Sequence, residues 1–169
     1  MNALVIVLRL FHVLGGVMWV GAALVNTFFL APTVQATAEA GQKVMGHLMA
    51  KARLSARVTL ASYLTVLSGA GLYWIDSQGF TSAWQGSGPG IGFGIGALAA
   101  FVGFGFGQLV GKNAGLIGKI GAQIQGTPSP QQAAALKQAQ AGMTSAGRIS
   151  TTFLIVALVL MATARYLIF

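Results

Sequence analysis

Only 12 of the 169 residues carry a charge, and just two of those are acidic, Glu39 and Asp76. An ordinary soluble domain is about one quarter charged, so a water-soluble fold is excluded. Two lone carboxylates far apart in the chain cannot form the paired acid and base of carboxylate hydrolases. Proton-coupled transport also lacks acidic groups inside the apolar runs. Cysteine is absent, which removes disulfides, thiolate metal sites, iron–sulfur clusters and cysteine nucleophiles, and leaves the redox compartment unread. No Ser, His and Asp set shares one depth, so a hydrolytic triad is not expected. Gly92, Gly94 and Gly96 lie in an apolar run without the preceding strand that a phosphate loop needs.

What the chain has in abundance is apolar surface: 55% of residues are hydrophobic, mean hydropathy is +0.74, and glycine occurs 24 times. A hydrocarbon core of about 30 Å takes roughly 20 apolar residues as helix. Four stretches meet that length, at about 3–31, 58–75, 91–111 and 149–169. The first contains Arg9 and His12 and is expected to stop at Pro32. It lacks the basic leader of a secretory signal and reads as a retained helix. The expected fold class is therefore all-α, an integral membrane four-helix bundle forming one domain.

Lys43, Lys51, Arg53 and Arg57 fall between the first two spans, and Lys112, Lys119, Lys137 and Arg148 between the last two. The short connection from Phe80 to Pro89 has no cation. The positive-inside rule then puts segments 32–57 and 112–148 in the cytoplasm, and both termini on the opposite side of the cytoplasmic (inner) membrane. A net charge of +8 without a nucleic-acid module reads as a topogenic signal and contact with anionic lipid, not as nucleic-acid binding. Residues 37–57 are expected to form a helix emerging from the second span. Ser129, Pro130 and Gln132 have the pattern of a helix start, and Leu136 and Met143 are the large apolar side chains of the short cytoplasmic helix expected there.

Helices in lipid associate through close packing and interhelical hydrogen bonds. Gly92, Gly96, Ala100, Gly103, Gly107, Gly111 and Gly115 step by three or four and form a ridge of small residues, while Phe93, Phe101 and Phe104 project elsewhere. Ser62, Thr65 and Gly69 make a similar line on the second span. Asn26 is a candidate interhelical hydrogen bonder and Trp19 a candidate core residue. Tyr73, Trp74 and Trp84 suit an interfacial aromatic belt.

Ionisable side chains inside spans are candidate functional groups. Arg9 and His12 share a face of the first span, and Met161 and Arg165 are expected at a similar depth on the antiparallel fourth. Asp76 ends the second span at the same rim, as an ion-pair candidate. A b-type haem needs an axial imidazole, a second ligand and cations for its propionates. His12 and Met161 are the candidate ligands, with Arg9 and Arg165 as propionate partners. His47 falls on the other side, which argues against a bis-histidine site. Copper is the competing metal, through His12 with Met18 or Met161. The plain alternative has both arginines reaching the headgroups, Asp76 paired with one of them, and His12 making one structural hydrogen bond.

The run Phe11-His12-Val13-Leu14-Gly15-Gly16-Val17-Met18-Trp19-Val20-Gly21 resembles the first-helix pattern of bacterial four-helix membrane families. These include the copper-resistance protein D family and the HemJ type of protoporphyrinogen oxidase. Arg57 leading into a Ser/Thr-rich span that ends near Gly69 and Gly71, and Arg148 leading into the fourth span, are similar in layout. The resemblance implies an all-helical membrane fold. In the HemJ branch it implies a haem ligand at the position of His12. That branch also has a lysine in its helical core, whereas no lysine lies between Val58 and Val110, so porphyrinogen oxidation does not carry over. Copper-resistance relatives have more spans and more ligands, so copper transport does not carry over either. The expectation is a small subunit or accessory of a larger membrane assembly without independent catalytic activity. It would contact the bilayer and other membrane subunits and hold one haem b at His12. The rival is a cofactor-free subunit whose glycine ridge docks on a neighbour.

Overall fold

The computed structural model describes residues 3–81 and 83–168, which form helices joined by short turns, with no strand among them. Helix α1 (Ala3–Val25) runs through a five-residue π-helical segment (Asn26–Leu30) directly into α2 (Ala31–Ala50). Pro32 does not stop the helix as expected. A proline ring clashes with the carbonyl four residues back and brings no N–H. The π segment widens the turn, seen in the Ala31 N–H bonding Asn26 O five residues earlier, and the ring is accommodated. The break comes instead at Ala38 (φ 44, ψ −112), where the chain turns so sharply that a Cβ on Gly41 would lie 2.7 Å from Val34 Cα.

Helix α3 (Leu54–Asp76) starts after Arg53 in left-handed conformation (φ 49). Of residues 37–57, those up to Ala50 belong to α2 and only 54–57 extend the second span as part of α3, with a turn between them, a correction to the single helix expected there. Helix α4 (Gly88–Gln123) begins at Ser87, whose hydroxyl accepts the Gly90 N–H, with Pro89 in the first turn. Helix α5 (Pro130–Thr163) begins at Ser129, where both halves of the capping box with Gln132 are formed.

At 1.5 Å per residue the 36 and 34 residues of α4 and α5 span about 54 and 51 Å, well beyond a 30 Å hydrocarbon core. The stretches 91–111 and 149–163 are the apolar parts of longer rods, and the fourth span gives way to a 3-10 turn at Ala164–Tyr166, short of its expected end. Phe169, the expected last residue of the fourth span, lies outside the described residues. The short helix expected after Ser129 is continuous with the fourth span. Among the described residues four helices are long and apolar enough to cross a membrane, which makes this a multi-pass membrane protein.

The bundle consists of two antiparallel pairs, α4 with α5 along most of their lengths and α1 with α3, joined by slimmer contacts. The expected ridge lies inside the molecule. A Cβ on Gly92 would meet Leu167 Cδ1 at 2.8 Å, one on Gly96 would meet Leu160 Cβ at 3.2 Å, and one on Gly103 would meet Leu154 at 2.9 Å. Toward the basic end the face rotates, so that Gly107 looks at Ser150 and Trp19, Gly111 looks at Ser55, and Gly115 meets nothing within 4 Å. The close approach permits a hydrogen bond from the Ser150 hydroxyl to the Gly103 carbonyl at 2.7 Å.

Trp19 is 4% exposed and lies where the pairs meet, with Ala61 and Leu154 buried beside it. Phe104 stands edge-on to Trp19 (6.0 Å between centroids) and to Tyr63 (5.0 Å). Thr151 of α5 joins the first helix at two points, its Oγ1 lying 2.8 Å from Thr27 Oγ1 in the π segment, one residue beyond the expected Asn26, and donating to the Ala23 carbonyl of α1 at 3.4 Å. Past the basic boundary, α4 and α5 stay together through small residues. Ala139 is 2% exposed and Ala146 is buried, while Gly142 packs on Asn113 and Gly147 on Val110. At the other end Tyr73, Trp74, Phe80, Trp84 and Phe93 form an aromatic cluster.

Gly103→Leu is expected to lower bundle stability by about 1–3 kcal/mol, as overpacking does. Gly105→Leu points into open space and is expected to leave it unchanged. Equilibrium unfolding in mixed micelles checks the pair.

Candidate functional site

His12 sits half-buried on the face of α1 that meets α3, and its Nδ1 lies 2.8 Å from the Thr65 backbone carbonyl. A carbonyl oxygen only accepts, so Nδ1 carries the proton in this bond. In the neutral ring the lone pair is then on Nε2, the arrangement in which an imidazole binds a metal through Nε2 while a backbone carbonyl orients it.

Two glycines on facing helices make the contact sterically possible. A Cβ on Gly69 would lie 2.7 Å from His12 Cε1 and 2.8 Å from Nδ1, so any larger residue would displace the ring. A Cβ on Gly15, one turn along α1, would lie 2.6 Å from Thr65 Oγ1 and 3.0 Å from the Ala61 carbonyl. Thr65 turns its hydroxyl back onto Ala61 O at 2.8 Å, so its polar side chain is satisfied within α3. The Ser68 hydroxyl also approaches the Thr65 carbonyl, at 3.2 Å. Ala61, Thr65 and Gly69 are therefore the seat of α1, with His12 against Gly69, while Ser62 of the expected line turns its hydroxyl onto the Thr59 carbonyl of its own helix.

The other expected site residues are dispersed. Arg9 is exposed one turn nearer the aromatic end. Arg165 is exposed, with its guanidinium 5.8 Å from the centre of the Tyr166 ring. Asp76 is exposed, and neither arginine lies within ion-pair distance of it among the described residues. Among the described residues the ion pair formed is Lys43 with Glu39 in α2, at the opposite end of the bundle, at 2.8 Å and well exposed.

Met161 is half-buried against α4, its Cε 3.4 Å from where a Cβ on Gly96 would stand. Met18 is 43% exposed. His12 thus faces α3 while Met161 faces α4, and the structure does not bring the two together. Reading the sequence singled out His12 but missed its partner, because a backbone carbonyl leaves no mark on residue type. The available signal was the pair Gly15 and Gly69, which lie one turn apart on facing surfaces once α1 and α3 are set antiparallel.

Comparison with protein-family models, with characterised proteins and with solved structures finds no match for this chain.

The hydrogen bond fixes an observable. In protein labelled with ¹⁵N-histidine and carrying His47→Gln, the neutral form of the remaining imidazole is expected to be the Nδ1–H tautomer, with the lone pair on Nε2. Gly69→Val is expected to abolish that pattern, as read from the ¹⁵N shifts.

Proposed function

We propose that this chain is a small subunit or accessory of a larger assembly in a bacterial cytoplasmic membrane. In this reading both termini and His12 lie toward the outer face, and one b-type haem is held through His12. The observation that carries it is the bond from His12 Nδ1–H to the Thr65 carbonyl, which leaves Nε2 as the ligating atom and fixes the ring plane.

The residues fit such a group in part. His12 would hold the iron through Nε2, and Arg9 and Arg165, exposed cations at the same end of the bundle, would suit carboxylate propionates. Met161 is committed to the α4–α5 contact, so it is not the second ligand as the helices stand. A bound b-type haem would supply one-electron chemistry. The chain itself would anchor the iron, orient the imidazole and neutralise the propionates. The resemblance of residues 11–21 to the first helix of haem-binding relatives supports the same assignment of His12.

The rival reading, a cofactor-free subunit docking by its glycine ridge, is disfavoured because Gly92, Gly96 and Gly103 are covered by the chain's own α5 and C-terminal residues. Docking of that kind would require another face.

Protein expressed with haem supplied and purified gently is expected to show a Soret band and a reduced α band, both lost in His12→Ala. Absence of the bands, or their full retention in His12→Ala, removes the proposal. The orientation has its own check in a chain without native cysteine. Single cysteines at positions 43 and 119 are expected to react with an impermeant maleimide only after inner-membrane vesicles are inverted, and one at position 78 only before.

A further inference from the structure

The segment after the Ala38 break has a composition that the spans do not share. Within residues 39–50, Val44, Met45, Leu48 and Met49 fall in an arc of about 140° at helical spacing, with Gly41 among them. Gln42, Lys43, Gly46 and His47 take the remaining circumference. Val44 is 57% exposed, Met45, Leu48 and Met49 are half-buried, and Lys43 and His47 are exposed, so the rest of the chain covers the apolar arc only in part and leaves the polar side open.

Its position is constrained from both ends. Residues 31–37 tie it to α1, and the turn through Lys51 to Arg53 ties it to the start of α3. The start of α3 is level with the membrane boundary of the other pair. Ser55 faces Gly111, and Val110 faces Gly147, which brings Arg57, Lys112 and Arg148 to one level on three helices. These three side chains are exposed and form a cationic collar. On this end of the bundle the one acidic residue, Glu39, is already paired with Lys43.

We propose that residues 39–50 lie in the headgroup layer of an anionic leaflet, with Val44 and Leu48 in the acyl boundary. Lys43, Lys51, Arg53 and the collar contact lipid phosphates. An amphipathic helix with cations beside its apolar arc is held by both terms together. A soluble acidic partner would match the cations yet leave the apolar row without a reason to sit at the membrane boundary, whereas lipid matches both. The assignment is independent of the haem reading, since no residue in it touches α1 near His12.

The absence of cysteine makes the test direct. Val44→Cys, Leu48→Cys and Gly46→Cys are each labelled with an environment-sensitive fluorophore and reconstituted in phosphatidylcholine vesicles with and without phosphatidylglycerol. The labels are quenched by acyl-chain nitroxide or by aqueous iodide, and circular dichroism checks that each variant keeps its helix content. In anionic vesicles the labels at 44 and 48 are expected to be blue-shifted, with a nitroxide-to-iodide quenching ratio several-fold above that at 46. The contrast is expected to shrink without phosphatidylglycerol and in Lys43→Gln/Lys51→Gln/Arg53→Gln. Equal iodide access at 44 and 46 in anionic vesicles overturns the proposal, as does a contrast indifferent to anionic lipid. Protection at 44 seen in native membranes but not in vesicles assigns the face to a protein and overturns it too.

Discussion

Apolar side chains gain little by leaving lipid for one another, so a bundle in a membrane must hold together by bringing backbones close enough for dense van der Waals contact and weak polar bonds. In this chain that requirement is met by residues with almost no side chain. Gly92, Gly96 and Gly103 admit α5, and Gly15 and Gly69 admit the facing surfaces of α1 and α3. The hydroxyl and imidazole contacts are secondary to this approach. Ser150 reaches the Gly103 carbonyl, and His12 reaches the Thr65 carbonyl, because no Cβ stands between them. The candidate site and the packing are thus one phenomenon: a backbone laid open by glycine on one helix becomes the hydrogen-bond acceptor for the next.

The two helix pairs use this principle to different degrees. The α4–α5 pair is continuous and lined by small residues from the aromatic end to Ala139, whereas α1 and α3 meet mainly around Gly15, Thr65 and Gly69. Between the pairs the contact is carried by larger groups, with Trp19 seated among Ala61, Phe104 and Leu154, and by the hydroxyl pair Thr27 and Thr151. A bulky aromatic seam of this kind tolerates adjustment better than a glycine seam, since rings can tilt while backbones in contact cannot. The seam between the pairs is accordingly where the bundle has most freedom to adapt.

Hydropathy and charge made the number of spans, the core position of Trp19 and the start of α5 at Ser129 legible in the sequence. Each depends on a local property: apolar length, a large indole amid small residues, or a capping pattern with both partners within four positions. Other features were hidden because they depend on neighbours. Pro32 reads as a stop on local grounds, yet a π segment just before it lets the helix continue, and within that segment Thr27, not Asn26, makes the interhelical bond. Leu136 and Met143 drew attention as the large apolar residues of the outer part of α5, but Ala139, Gly142 and Ala146 make its contact. Met161 was expected beside His12 from depth alone, yet it faces α4 while His12 faces α3, since depth follows from counting and facing follows from packing.

The unbroken run of α5 from Pro130 through the boundary to Thr163 has a mechanical consequence. A rod embedded in hydrocarbon for part of its length and free beyond acts as a lever whose fulcrum is the membrane surface. Because α4 is bonded to it by the same small-residue seam on both sides of that fulcrum, the two swing as one stiff arm. A slight change of tilt inside the bilayer therefore becomes a larger sideways displacement of Lys119 and Lys137 in the water.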